Sequence, residues 1–138
     1  MTPNRKHWQM DTSWEALDAI EMPNGGLVQR YSVGVPENET APTVFRAWYP
    51  PHSVVAPHKH ESDYTEIILE GSQQITRRWH HAGDIRIVQG GTVYGPLIAG
   101  PEGVTVLVFF TDNRWQAIPV DPDHAEGLDT TGILDARG

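Results

Sequence analysis

The sequence predicts an all-β domain, an antiparallel sandwich or barrel, from three observations. Short β-branched and aromatic runs recur about every 8–12 residues with turn residues between them. The 138 residues include 13 glycines and 11 prolines, enough to punctuate many short strands. After residue 20 no stretch repeats its apolar side chains at helical spacing.

Taken in order, residues 1–10 carry no pattern. Thr12-Ser13-Trp14-Glu15 reads as a capping box, with Thr12 as N-cap. Trp14, Leu17 and Ile20 follow near helical spacing, which predicts a short helix over residues 13–20, ended by the turn Pro23-Asn24-Gly25-Gly26. Leu27–Val35 is a predicted strand and residues 36–42 a loop. Thr43–Tyr49 is a second strand, rich in β-branched and aromatic residues and broken by Pro50-Pro51. Val54-Val55 leads into a third, whose core is Thr65–Leu69 with a turn at Glu70-Gly71-Ser72. Strands are predicted at Gln73–Trp79, Ile85–Val88 and Val104–Phe110, the last being the most apolar run and so the central strand. Trp115–Val120 is a final edge strand because Pro119 lacks an N–H.

Composition narrows the function. There are no cysteines, so thiolate nucleophiles, disulfides and cysteine-held metals are excluded. The formal net charge of -8 opposes a nucleic-acid partner, which wants a basic stripe. Much of the acidity lies beyond Val120 (Asp121, Asp123, Glu126, Asp129, Asp135), read as a solvated tail. The N-terminal residues hold no apolar signal core and no run is long enough to span a bilayer, so no membrane partner and a cytoplasmic location are expected. No GxSxG is present, and Gly90-Gly91 lacks the lysine and helix of a phosphate loop.

The chemistry is concentrated in PHKHESDYTEIILEG, residues 57–71. Side chains alternate along a strand, so His58 and His60 share a face and can hold one metal ion. Asp63, Tyr64 and Glu66 follow as oxygen donors. The same alternation puts Tyr64 and Glu66 on the histidines' side, although Glu66 can instead pair with Arg46, Arg77 or Arg86. His80 and His81 point to opposite faces, and His7, His52 and His124 fall in a turn or near the ends.

This strand, its glycine turn and the later GDIRIVQGGTVYGP together resemble the cupin superfamily. Cupins carry a His-x-His pair followed by a glutamate and a glycine, then a second block of glycine, proline, glycine and histidine. His58, His60 and Gly71 match the first block; Gly83-Asp84 and Gly91 match the second. Tyr64 stands where the glutamate belongs, Gln89 replaces the proline, and Tyr94 replaces the last histidine.

The resemblance implies a double-stranded β-helix (jelly-roll) barrel over about residues 27–118. It is flanked by a helix and arm at 1–26 and an acidic tail at 119–138. It also implies one divalent transition metal, Fe2+ first with Zn2+, Mn2+ or Ni2+ as alternatives, held by His58, His60, Glu66 and Tyr94. Two histidines and a carboxylate form the facial triad of iron oxygenases. Tyr94 can be a phenolate ligand or, with Tyr64 and Glu66, an acid/base. Three functions follow: a metal-dependent enzyme on a small organic substrate, dioxygenase first; a ligand-binding cupin with a degenerate site; and a lyase or isomerase using tyrosine and glutamate. A homodimer is expected, with Trp8, Trp14, Leu17 and Ile20 covering a partner's barrel.

Overall fold

The computed structural model describes residues 9–120. The acidic residues after Val120, together with His7, Trp8 and His124, lie outside that span. Ten strands follow one short turn of 3-10 helix at Trp14–Ala16: β1 Ile20–Glu21, β2 Leu27–Ser32, β3 Thr43–Tyr49, β4 Val54–Val55, β5 His58–Lys59, β6 Tyr64–Ile75, β7 Arg78–His81, β8 Ile85–Val88, β9 Leu97–Phe110 and β10 Ile118–Pro119. All named pairings are antiparallel. An eight-stranded sheet runs β1-β2-β3-β9-β6-β7, with β4 added on β9 and β8 on β6, and β10 pairs β5. The chain is all-β, as its turn spacing predicts.

The predicted helix over 13–20 does not form. Ser13, not Thr12, is the N-cap, and Leu17 is already extended at φ -90°, ψ 137°. Two tertiary demands outweigh local propensity. Gln29 Nε2 donates to the carbonyls of both Trp14 and Leu17, and Ile20-Glu21 pairs with Val28 and Leu27. Propensity is a weak prior against such partners.

The barrel is built on β6 and β9, paired with each other along most of their lengths. The far half of β9 pairs β3 from Thr43↔Phe110 to Tyr49↔Val104, while its near half pairs β4. Each long strand therefore serves two walls, and the ladder must bend between them. The bend falls at register shifts between Ile68 and Glu70 and between Gly71 and Gln73. Gly71 has φ +78°, and a Cβ there would lie 2.0 Å from the Gly103 carbonyl oxygen. Only glycine fits this bulge. The predicted turn at Glu70–Ser72 is thus a kink inside a continuous strand. The chain reverses later, at Thr76 and Arg77, both with positive φ.

On β9 the alternation holds only over its last residues, Val106–Phe110, because Gly103–Val106 are all buried. Val104, Val106, Val108 and Phe110 are buried, while Phe109 is exposed. With Val28, Ala47, Ile68 and Leu97 they form one core. β10 is shorter than the predicted 115–120 strand, but it forms the β5 edge that carries His58. Among the described residues, no helix is long and apolar enough to cross a membrane.

Candidate metal and proton-transfer site

His58 lies on β5 and is fixed on both edges. Its Cα partner on β10 is Pro119. On the other side His58 and Tyr94 exchange backbone hydrogen bonds, N–H to O=C, at 3.1 Å in each direction. Residues bonded this way project side chains to the same face. The Tyr94 hydroxyl accordingly lies 2.7 Å from His58 Nε2. His60, two residues on, brings its Nε2 to 3.1 Å from the same hydroxyl. The His60 backbone is tied by Gly91, whose N–H donates to the His60 carbonyl at 2.7 Å. Gly90 packs alongside, where a Cβ would lie 2.1 Å from the Glu61 carbonyl oxygen. The Gly90-Gly91 pair thus holds the histidine strand.

The other ring nitrogens fix the proton positions. His58 Nδ1 is 2.8 Å from the Ala56 carbonyl and His60 Nδ1 is 2.6 Å from the Trp115 carbonyl. A carbonyl oxygen only accepts, so both Nδ1 atoms carry hydrogen. Burial holds both imidazoles neutral: it pushes His58 down to about 4 and lowers His60 in the same direction. Both Nε2 atoms therefore present bare lone pairs, and they converge on one phenol oxygen. Tyr94 has a single proton, and burial first of all raises its pKa well above the usual phenol value. One hydroxyl hydrogen cannot serve two acceptors. Three lone-pair atoms thus surround a point supplied with one proton.

This donor set fits a divalent cation. The Nδ1–H to carbonyl bonds orient both ligands as outer partners do in histidine metal sites. His58, His60 and Tyr94 would hold the ion. Glu66 is not gathered with them. Its Oε1 accepts from Arg86 Nε at 3.0 Å and from Gln73 Nε2 at 2.8 Å. Among the described residues no three His, Cys, Asp or Glu side chains form a metal-holding group. Of the three arginines that Glu66 can reach by sequence, Arg86 is its partner, opposite it on β8.

Tyr64 is buried beside the cluster, its ring 5.2 Å from that of His60. Asp63 turns outward, its Oδ1 accepting the Gly90 N–H at 2.7 Å. His80 is only half-buried and His81 is exposed.

Arg86 is one of the three arginines the sequence offers Glu66, while Gln73 carries no signal of its own. Strict alternation puts Glu66 and Gln73, seven apart, on opposite faces. The bulge after Ile68 inverts the alternation and turns both inward.

His58, His60, Tyr64, Glu66 and Tyr94 line a cavity of about 50 Å³ together with apolar residues that include Phe45, Val108, Phe110 and Trp115. Phe45 and Trp115 pack edge-to-face at 4.9 Å.

No family model matches the chain, and no curated protein matches it by sequence. Solved structures do match. The polyketide cyclase RemF from Streptomyces resistomycificus aligns at TM-score 0.65 and 13% identity, over 83% of this chain and 87% of its own. An RmlC-like cupin protein from Ralstonia eutropha JMP134 aligns at TM-score 0.67 and 13% identity, over 90% and 75%. Oxalate decarboxylase from Bacillus subtilis, a protein with Mn(II) centres, aligns at TM-score 0.64 and 18% identity. That match covers 86% of this chain but only 35% of the decarboxylase, so this chain spans about a third of that protein. The chain has the cupin fold.

Proposed function

We propose that this chain is a metal-dependent cupin enzyme that moves a proton on a small organic molecule, a lyase or isomerase chemistry. The observation that carries the reading is the convergence of two bare Nε2 lone pairs on the Tyr94 hydroxyl, at 2.7 and 3.1 Å. His58 and His60 would hold one divalent ion, with Tyr94 as third ligand or adjacent acid. Two imidazoles and a phenol suit Zn2+, Ni2+ or Fe2+, and Mn2+ is the ion of the decarboxylase with this fold. When bound, the ion supplies Lewis acidity and favours the phenolate of a neighbouring tyrosine.

The chain's own residues do the rest. Tyr94 Oη holds or delivers a proton at the cavity. The Ala56 and Trp115 carbonyls keep both rings in the tautomer that leaves Nε2 free. Phe45, Phe110 and Trp115 keep water away from the reacting atoms. A dioxygenase with a two-histidine, one-carboxylate triad is less supported, because Arg86 and Gln73 already bind the carboxylate of Glu66. That observation also weakens Fe2+ as the first choice. A non-catalytic, ligand-binding cupin is the second reading, favoured by the small cavity of about 50 Å³. A homodimer belongs to the same proposal. Ile20, Ile85 and Ile87 are exposed and supply apolar surface for it, and sedimentation velocity giving only a monomer mass refutes it.

Metal analysis of the full chain tests the central claim. One transition metal per chain is expected, and none in the His58→Ala/His60→Ala variant. Wild-type protein that takes up no Zn2+, Mn2+, Ni2+ or Fe2+ overturns it.

A further inference from the structure

Three side chains of β3 line the cavity: Phe45, Ala47 and Tyr49. Phe45 packs on Phe110 and Trp115, at the end where His60 meets Phe110. Tyr49 stands at the other end of this row, two alternations further along the strand. Between them Ala47 pairs with Val28 on β2 and with Val106 on β9. All three line the cavity, and a row of small side chains leaves room beside the Tyr49 ring.

Tyr49 is only 8% exposed, and among the described residues its hydroxyl makes no hydrogen bond. Tyr64 Oη and Arg86 Nη2 are a different case: both are sealed, and they lie within reach of each other and of Tyr94. Tyr49 Oη is not sealed in that way, and the surface left to so buried a residue is the cavity that it lines. Burial, and then the Glu66 carboxylate, push its pKa up, so the phenol keeps its proton and offers it to the cavity. A buried donor without a partner calls for an acceptor.

The surroundings decide which acceptor. The charge felt at Tyr49 is that of the Glu66 carboxylate, and it disfavours a second anion there. Val28, Ala47 and Val106 offer nothing to an N–H or O–H of a ligand, which would be buried unpaired against them. A carbonyl oxygen meets both conditions, being uncharged and bringing no hydrogen of its own.

We propose that Tyr49 Oη is a specificity-determining donor that receives the carbonyl oxygen of a small neutral ligand, whose carbon skeleton lies against Val28, Ala47 and Val106. As an assignment of substrate class this rests on the active-site reading above, but the contact itself uses neither histidine nor a metal.

Methyl-detected NMR of the chelator-treated full chain tests it, with acetone as the probe and acetate as its anionic counterpart. The cavity of about 50 Å³ admits only a few heavy atoms, and acetone is of that size. Saturable shifts of the Val28, Ala47 and Val106 methyls are expected with acetone and not with acetate. Tyr49→Phe takes away a hydroxyl that has no partner in the protein, so the variant folds, and it weakens acetone binding about tenfold. Ala47→Val narrows the cavity, leaves the phenol in place and weakens binding as well; should that variant not fold, Tyr49→Phe alone decides. No saturable shift with acetone, equal binding of acetate, or wild-type acetone binding by Tyr49→Phe overturns the assignment. Failure of the metal reading looks different: no Zn2+ uptake, with Tyr49-dependent acetone binding intact.

Discussion

Glu66 and Tyr94 line the same cavity, yet their neighbours differ in kind. Around Glu66 the donors are in excess: Arg86 Nε and Gln73 Nε2 both reach one carboxylate oxygen, at 3.0 and 2.8 Å. Around Tyr94 the acceptors are in excess, with two bare imidazole nitrogens on one hydroxyl. The first cluster is an ion pair whose two charges cancel. The second is short of positive charge, and on the proposed function a cation would complete it. On the same proposal, this difference separates a structural polar group from a binding one. The Glu66 carboxylate, near two histidines in sequence, is held by a guanidinium instead of being gathered with them.

The sharpest way to break the comparison is to strip Glu66 of its cation. Arg86→Ala leaves a buried carboxylate paired only with Gln73, and should cost about 3–5 kcal/mol. Arg86→Met/Glu66→Gln should recover most of that loss. Urea unfolding midpoints of the two variants and wild type measure both effects. A cost below about 1 kcal/mol for Arg86→Ala would mean Glu66 finds other partners, and its exclusion from the metal set would fall.

The next effect belongs to the histidines alone. His58 titrates at about 4 in the folded chain against 6.5 unfolded. Between those values the unfolded chain binds a proton that the native one refuses. Stability is therefore fully present above pH 6.5 and declines as pH falls toward 4, by on the order of 3 kcal/mol. His60 shifts in the same direction. Unfolding of chelator-treated protein at pH 7.5 and 4.5 gives the difference, and His58→Gln should shrink it. A flat profile would show that the native site accepts a proton between the rings, and so is not poor in positive charge.

The two clusters were unequally legible in the sequence. The histidine pair, the substitution of Tyr94 for the family's histidine and the all-β fold could be read from alternation and motif order. Thr43–Tyr49 and Ile85–Val88 fall at their predicted bounds, because β-branched residues and flanking turns act locally. The inward face of Glu66 and a pairing with one of Arg46, Arg77 or Arg86 were legible, but not which arginine, nor its bond to Gln73. Its partners come from β8 and from beyond the bulge after Ile68, and a one-residue bulge reverses which side chains face inward. The N-terminal helix failed for a similar reason: its carbonyls are claimed by Gln29 on another strand. His52 adopts a glycine-like φ of 63°, which the sequence flags only as a turn.

The smallest predicted effect is the most discriminating. Removing a buried hydroxyl that serves one acceptor well ordinarily costs about 1–3 kcal/mol. Tyr94 is not in that position. Its proton serves one Nε2, and its remaining oxygen lone pairs face the other, so deletion loses one bond and relieves one repulsion. Tyr94→Phe in metal-free protein should therefore cost about 1 kcal/mol or less, read from thermal and urea unfolding at pH 7.5. The same substitution should weaken metal uptake while leaving the Glu66–Arg86 pair intact. A loss of about 3 kcal/mol would make Tyr94 the keystone of a well-satisfied network, and the histidine cluster would then be structural in the same sense as the carboxylate cluster beside it.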